Sequence, residues 1–207
     1  MQSPQHFRSK QASTAAVLGS SCNVDFDRAL EFGPDNGAIF VARGLSLLTS
    51  GQATRAVAAF DQAIAKSDGD PTTYLLRGKA LQETGELDRA LADLDHALQL
   101  RPRFADALTE RGAVWMKKKD YARALTDLDQ SIAVQPSVLG YFARAQVHET
   151  QGKSSLAIAD FRKALELQPK NVFDVAAQAF AKSRLEVLSR RDSCGGADDG
   201  KGAGRCL

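Results

Sequence analysis

Cysteine, charge of one sign and long apolar runs are all scarce in this chain of 207 residues. The three cysteines, Cys22, Cys194 and Cys206, are odd in number and widely scattered, which excludes a disulfide framework or a zinc site built from them. No run approaches the roughly 18 apolar residues of a membrane-spanning helix, so no membrane insertion is expected. The 27 Lys and Arg are nearly balanced by 25 Asp and Glu, leaving a net charge of +2. That balance offers no strongly basic surface, and nucleic acid is not an expected partner.

Convergent catalytic groups are missing as well. His6, His96 and His148 stand far apart, and there is no Gly-rich phosphate loop and no Cys/His or Ser/His constellation. His96 falls on an outer helix face. Asp93 and Asp95 point about 200° apart on a helix, so with His96 they make no metal cluster. His148 replaces an aromatic or Leu at a packing position. No cofactor, no metal and no catalysis are expected. The N-terminus has a basic start at Arg8 and Lys10 and a short apolar run, Ala15-Ala16-Val17-Leu18. A secretory signal needs an apolar region of roughly 7–15 residues. Ser13, Thr14, Gly19, Ser20 and Ser21 dilute this one, and a cytoplasmic location is expected over export.

What the sequence does contain is a period. Gly44, Gly78 and Gly112 are 34 residues apart, as are Ala56, Ala90 and Ala124, and Pro102 and Pro136. A fourth copy, shortened by one residue, carries Ala145, Ala157 and Pro169. Four repeats follow: 37–70, 71–104, 105–138 and 139–171. Each reads as two antiparallel helices. In the second repeat these run over about 72–84 and 87–100, broken by Gly85 and ended by Pro102. Gly51, Gly85 and Gly152 share the turn position, and Lys119 replaces glycine in the third repeat. Small residues (Gly44, Gly78, Gly112, Ala145) are expected opposite large ones (Phe60, Leu94, Leu128, Phe161). One repeat cannot bury such faces alone, so stability must come from stacking.

The recurring set of an aromatic or Leu, then Gly, Ala, Phe or Leu, Ala and Pro resembles the tetratricopeptide repeat (TPR) family. The resemblance covers residues 37–171. It implies an all-α TPR superhelical solenoid of antiparallel helix pairs acting as a non-catalytic scaffold for protein binding. In the family the first helix of each repeat lines a concave groove that takes a peptide or helix. The corresponding residues are Val41, Leu45 and Leu48; Leu75, Lys79 and Gln82; Thr109, Ala113 and Met116; and Phe142, Gln146 and Glu149. The apolar patch of Val41, Leu45, Leu48 and Leu75 is the expected main site, unless the chain's own N-terminal segment covers it. The Hsp70/Hsp90 carboxylate clamp of TPR co-chaperones is absent: its positions hold Val41, Leu45, Leu76, Asp106 and Glu110. A frame one repeat later offers only Lys79 as a basic residue. The alternative role is a regulatory or accessory subunit of an enzyme or envelope-assembly complex.

Both ends depart from the repeat. Asp25-Phe26-Asp27-Arg28-Ala29-Leu30-Glu31-Phe32-Gly33-Pro34 matches a second helix, as in 93–102, so 22–36 reads as a partial repeat without its first helix. Residues 1–21 are expected to be disordered or a degenerate first helix, and the half-repeat is a possible site of self-association. At the other end, 172–191 reads as a solvating C-terminal capping helix, with Asn171 as N-cap and Asp174 in the first turn. Its expected core face is Val172, Val175, Ala176, Ala179, Phe180 and Leu185. Its expected wet basic face is Lys182, Arg184, Arg190 and Arg191. The glycine-rich 192–207 is expected to be disordered.

Charges follow the period. Asp27, Asp61, Asp95 and Asp129 share one position, and Arg43, Arg77, Arg111 and Arg144 follow 16 residues later, or 15 across the deletion. At the end of the array the two positions become Arg162 and Gln178. The preferred reading is an ion pair between neighbouring repeats. A rival pairs Arg77, Arg111 and Arg144 with Asp93, Asp127 and Asp160 of their own repeats, but meets Ala59 opposite Arg43. A solvated face worth about 0–1 kcal/mol per pair is the third reading.

Overall fold

The computed structural model describes residues 36–66 and 69–195, with side chains through Arg190. The expectations for 1–21, for 22–35 of the partial repeat and for the tail beyond Gly195 lie outside these residues. Among the described residues there are nine helices and no strand: α1 (Gly37–Thr49), α2 (Ala53–Lys66), α3 (Pro71–Thr84), α4 (Leu87–Leu100), α5 (Ala105–Lys117), α6 (Tyr121–Val134), α7 (Val138–Thr150), α8 (Ser154–Glu166) and α9 (Val172–Gly195). The fold is all-α. The chain divides into two compact bodies, Met1–Pro102 and Arg103–Leu207.

In the first body α1 packs on α2, α2 on α3 and α3 on α4. Close approach decides the pairing. A Cβ added at Gly44 would sit 2.5 Å from the Phe60 ring, and one at Gly78 would sit 3.0 Å from Leu94 Cγ. Glycine lets these large side chains lie against the backbone of the first helix, and Phe60 and Leu94 are fully buried. The start of α3 is fixed by Asp70, whose side chain accepts hydrogen bonds from the Thr72 and Thr73 amides, with Pro71 following it.

In the second body α5 pairs with α6 and α7 with α8, and α9 packs on both α7 and α8. Gly112 approaches Leu128 Cγ as Gly78 approaches Leu94, at 2.8 Å from an added Cβ. The turns within the repeats are left-handed: Gly85 has φ +87° and Lys119, in glycine's place, keeps φ +63°. A side chain in that region costs roughly 1–2 kcal/mol, so the third repeat carries strain that the others lack.

Helix α9 differs from expectation in two ways. It continues four residues past 191, because no glycine interrupts it before Gly195. Its core face also differs from the expected one, which it shares only at Leu185, packed on the α7–α8 cluster. Ala177, Ala181 and Leu188 are buried, whereas Val172 is 75% exposed, Val175 56% and Phe180 48%. The small residues face inward because α9 packs closely against α7 and α8, with Ala181 and Leu188 joining Ala145, Ala157, Ile158 and Phe161 in one cluster. Asn171 does cap the helix, accepting from the Phe173 and Asp174 amides at 2.9 and 3.0 Å. Asp174 is buried and accepts from the Lys170 amide at 2.8 Å. Lys182 and Arg190 are exposed as expected, whereas Arg184 is half-buried and pairs with Glu149 of α7.

Candidate functional site

The residues expected to meet a partner divide sharply. Val41 and Leu45 border an open cleft of about 360 Å³. Its other walls are Gly37, Ala38 and Ala42 of α1, Ala63 of α2, and Asp70 and Thr73 at the start of α3. Leu45 is 39% exposed, while Val41 and Leu48 are half-buried. Among the described lining residues Asp70 supplies the one carboxylate. Burial pushes its pKa up, but hydrogen bonds from Thr73 and Thr72 outweigh that and hold it below the usual carboxylate value. The cleft is therefore an apolar slot with an anion at one side. The small residues Ala38, Ala42 and Ala63 make room for it, and sequence reasoning missed them. Their signal was small side chains next to the apolar stripe of α1.

Lys79, Gln82, Ala113 and Gln146 are half-buried on their helices. Two residues expected on the same face are inside. Leu75 is only 6% exposed, because α3 buries Thr73, Tyr74, Leu75, Gly78, Ala80 and Leu81, residues on more than one side of the helix. Thr109 is 8% exposed, and its hydroxyl lies 2.7 Å from Ser131 Oγ, which donates to the Ala105 carbonyl at 2.9 Å. Leu75 and Ala97 of the second repeat become Thr109 and Ser131 in the third. That paired change was the available sign of a buried hydrogen bond. Met116 packs on the cluster of Ala124, Leu128, Ala143 and Val147. Phe142 stacks edge-on to Phe180 at 5.5 Å, and Glu149 is engaged by Arg184.

The periodic charges resolve into a three-way arrangement. Arg77 Nε and Nη2 donate to the two oxygens of Asp93 at 2.7 and 2.6 Å, and Nη1 donates to Asp61 at 2.7 Å. Arg144 does the same with Asp160, at 2.9 and 2.7 Å, and with Asp129, at 2.7 Å. Arg111 holds Asp127 through the same two nitrogens, at 2.8 and 2.6 Å. The two readings of the sequence are thus not exclusive where Arg77 and Arg144 are concerned. The preference between them is corrected: the buried, two-pronged partner is the Asp of the same repeat. Asp93 and Asp160 side chains are 9% and 8% exposed, against 47% for Asp61 and 60% for Asp129. The reason is the close pairing at Gly78 and Leu94, which brings the preceding residues, Arg77 and Asp93, face to face. Bonding to Asp93 raises the Arg77 pKa, against burial, and Asp61 adds to the rise. Arg77 also lies over the Tyr74 ring, 5.6 Å from its centroid. Asp95 is exposed, and Asp27 lies outside the described residues.

Two histidines sit in structural places. His96 packs on Tyr74 with ring centroids 4.3 Å apart, so its face is not simply wet. His148 has its Nε2 3.8 Å from Asp160, and its buried Nδ1 has no hydrogen-bond partner. Burial lowers the His148 pKa, only partly opposed by Asp160. Among the described residues no helix is long and apolar enough to cross a membrane.

Comparison with known proteins agrees with this architecture. The family model of the tetratricopeptide repeat matches residues 25–71, 75–138 and 116–172. No curated protein matches the chain. Among solved structures, TTC0263, a thermophilic TPR protein of Thermus thermophilus, is 22% identical with a TM-score of 0.65 over 82% of this chain and 97% of its own. MamA from Desulfovibrio magneticus RS-1 is 22% identical, with a TM-score of 0.56 over 79% and 97%. YrrB, described as a TPR protein with an unusual peptide-binding site, is 18% identical, with a TM-score of 0.56 over 78% and 84%. At these identities the likeness is one of fold. The family match spans more than half of the sequence, and with the paired helices and their glycine-mediated contacts it makes this chain a member of the tetratricopeptide-repeat family.

Proposed function

We propose that the chain is a non-catalytic protein-interaction scaffold that takes an apolar segment of a partner, a peptide or a helix, in the cleft on α1. The observation carrying this reading is Leu45, a large apolar side chain left 39% exposed beside an open cleft that Val41 also borders. Such a slot suits one or two apolar anchors of a bound segment. The Asp70 carboxylate at its side favours a segment that also carries a basic residue or a free amine. Leu48, Lys79 and Gln82 extend the proposed groove within the first body. Leu75 and Thr109 belong to the core and are left out of it. The Hsp70/Hsp90 clamp is no part of this reading, because its positions carry apolar and acidic residues.

A cross-linking amino acid at Leu45 should capture the partner from cells. Val41→Glu with Leu45→Glu should abolish its co-purification while the helical circular dichroism stays unchanged. Capture that survives both substitutions would move the site elsewhere.

A further inference from the structure

In every complete repeat the first helix is covered by its own second helix. Gly44, Gly78, Gly112 and Ala145 are buried at this seam, and the position 34 residues after Ala145 is Ala179 on α9. Ala179 is exposed. Val175, in the place of Tyr74 (9% exposed), is 56% exposed. Lys182 is exposed where Leu81 is 1% exposed. Among the described residues α9 is thus a first helix whose seat for a second helix is empty. Its inward face is already committed to α7 and α8 through Ala177 and Ala181.

A second-helix sequence stands near the other end of the chain. The family match begins at residue 25, inside a second-helix sequence that no recognisable first helix precedes. Phe26 stands 34 residues before Phe60, in the position that packs on the small residue of the first helix. Asp25 stands at the position of Asp93, Asp127 and Asp160, each of which is held by arginine in its own repeat. On α9 the arginine position is Gln178, and its amide donates to the carbonyls of Ala164 and Leu167 instead. A cation is supplied one turn on. Lys182 occupies the place of His148, which lies 3.8 Å from the buried Asp160. By repeat position Phe26 is therefore the counterpart of Ala179, and Asp25 and Lys182 are counterparts of opposite charge.

We propose that copies of this chain join end to end, with the open face of α9 in one copy receiving the segment 25–34 of the next to complete a composite repeat. The contact is heterologous, because each copy offers two different surfaces, so its repetition gives closed rings, a reciprocal pair included, or open chains. The chain's own residues 196–207 lack the apolar pattern to fill the seat. This inference does not rest on the α1 cleft, and either can fail alone.

The test is sedimentation of the full chain over a wide range of concentration. The wild type should gain mass with concentration. Ala179→Arg and Phe26→Asp should each weaken association by about tenfold or more. An equal mixture of these two variants should form a dimer and nothing larger, because it retains one intact composite contact. A wild type that stays monomeric, an Ala179→Arg variant that associates as the wild type does, or a mixture that stays monomeric would each overturn the proposal. If Phe26→Asp loses helix content, Asp25→Lys and Lys182→Glu replace it. Each alone should weaken association and the double variant should recover it; no recovery counts against the proposal.

Discussion

Helices α3 and α9 stand at the same place in the repeat, and their surroundings make different residues matter. On α3 the seam of Tyr74, Gly78 and Leu81 is buried beneath α4. On α9 the same seam of Val175, Ala179 and Lys182 is exposed. The helical pattern is similar in both, but among the described residues only α3 has a following helix to give its small residue a packing role. A repeat position thus has an energetic meaning only when the neighbour that covers it is present.

The sharpest test of that comparison is one substitution made twice. Gly78→Gln drives a polar side chain into Leu94 and should cost about 3 kcal/mol or more. Ala179→Gln, at the equivalent place, should lie within about 0.5 kcal/mol of wild type. Urea denaturation at low protein concentration measures both. Equal costs would mean that α9 is covered in solution.

The next effect separates two carboxylates on one guanidinium. Asp93→Ala leaves Arg77 without its buried two-pronged partner and should cost about 3 kcal/mol. Asp61→Ala removes a half-exposed contact worth less than about 1 kcal/mol. A double-mutant cycle of each Asp with Arg77→Met ranks the two couplings, and the reverse order would return the main role to the contact between repeats.

A smaller effect compares two turns. Lys119→Gly should raise stability by about 1 kcal/mol, and Gly85→Lys should lower it by a similar amount. Thermal denaturation of the pair would show opposite shifts.

The smallest concerns pH. The His148 pKa in the folded chain lies below the ordinary value of 6.5, so protonation disfavours the native state. Its contribution is fully present above about pH 6.5 and is lost as pH falls through the lowered value. His148→Leu should therefore flatten the loss of stability on acidification, read as the difference in urea midpoint between neutral and mildly acidic buffer.

Much of this fold is legible in the sequence, because Gly85, Pro102 and the recurrent Gly44, Gly78 and Gly112 punctuate it directly. The helix over 87–100 agrees residue for residue, and α3 starts one residue earlier than expected because Pro71 can occupy a first turn. The candidate site is less legible. Periodicity identifies an apolar face but does not say what covers it. Val172 and Val175 are therefore expected in the core and are outside, while Leu75 is expected outside and is in the core. Arg77 was read as choosing one aspartate because a sequence pairs residues two at a time, whereas a guanidinium has enough donors to hold two carboxylates at once.

The shortened fourth repeat carries a broader consequence. Asp129 and Arg144 are 15 residues apart, Asp61 and Arg77 are 16 apart, and both contacts measure 2.7 Å. The lost residue falls in the link between α6 and α7, which spans only 135–137. Connector length is thus free to drift while the partners of each side chain stay the same. In descendants of this sequence, homologous positions are better counted from arginine to aspartate than by a rigid period. A one-residue change at a connector leaves these pairs intact, whereas a one-residue slip within a helix would mismatch the charged groups all along it.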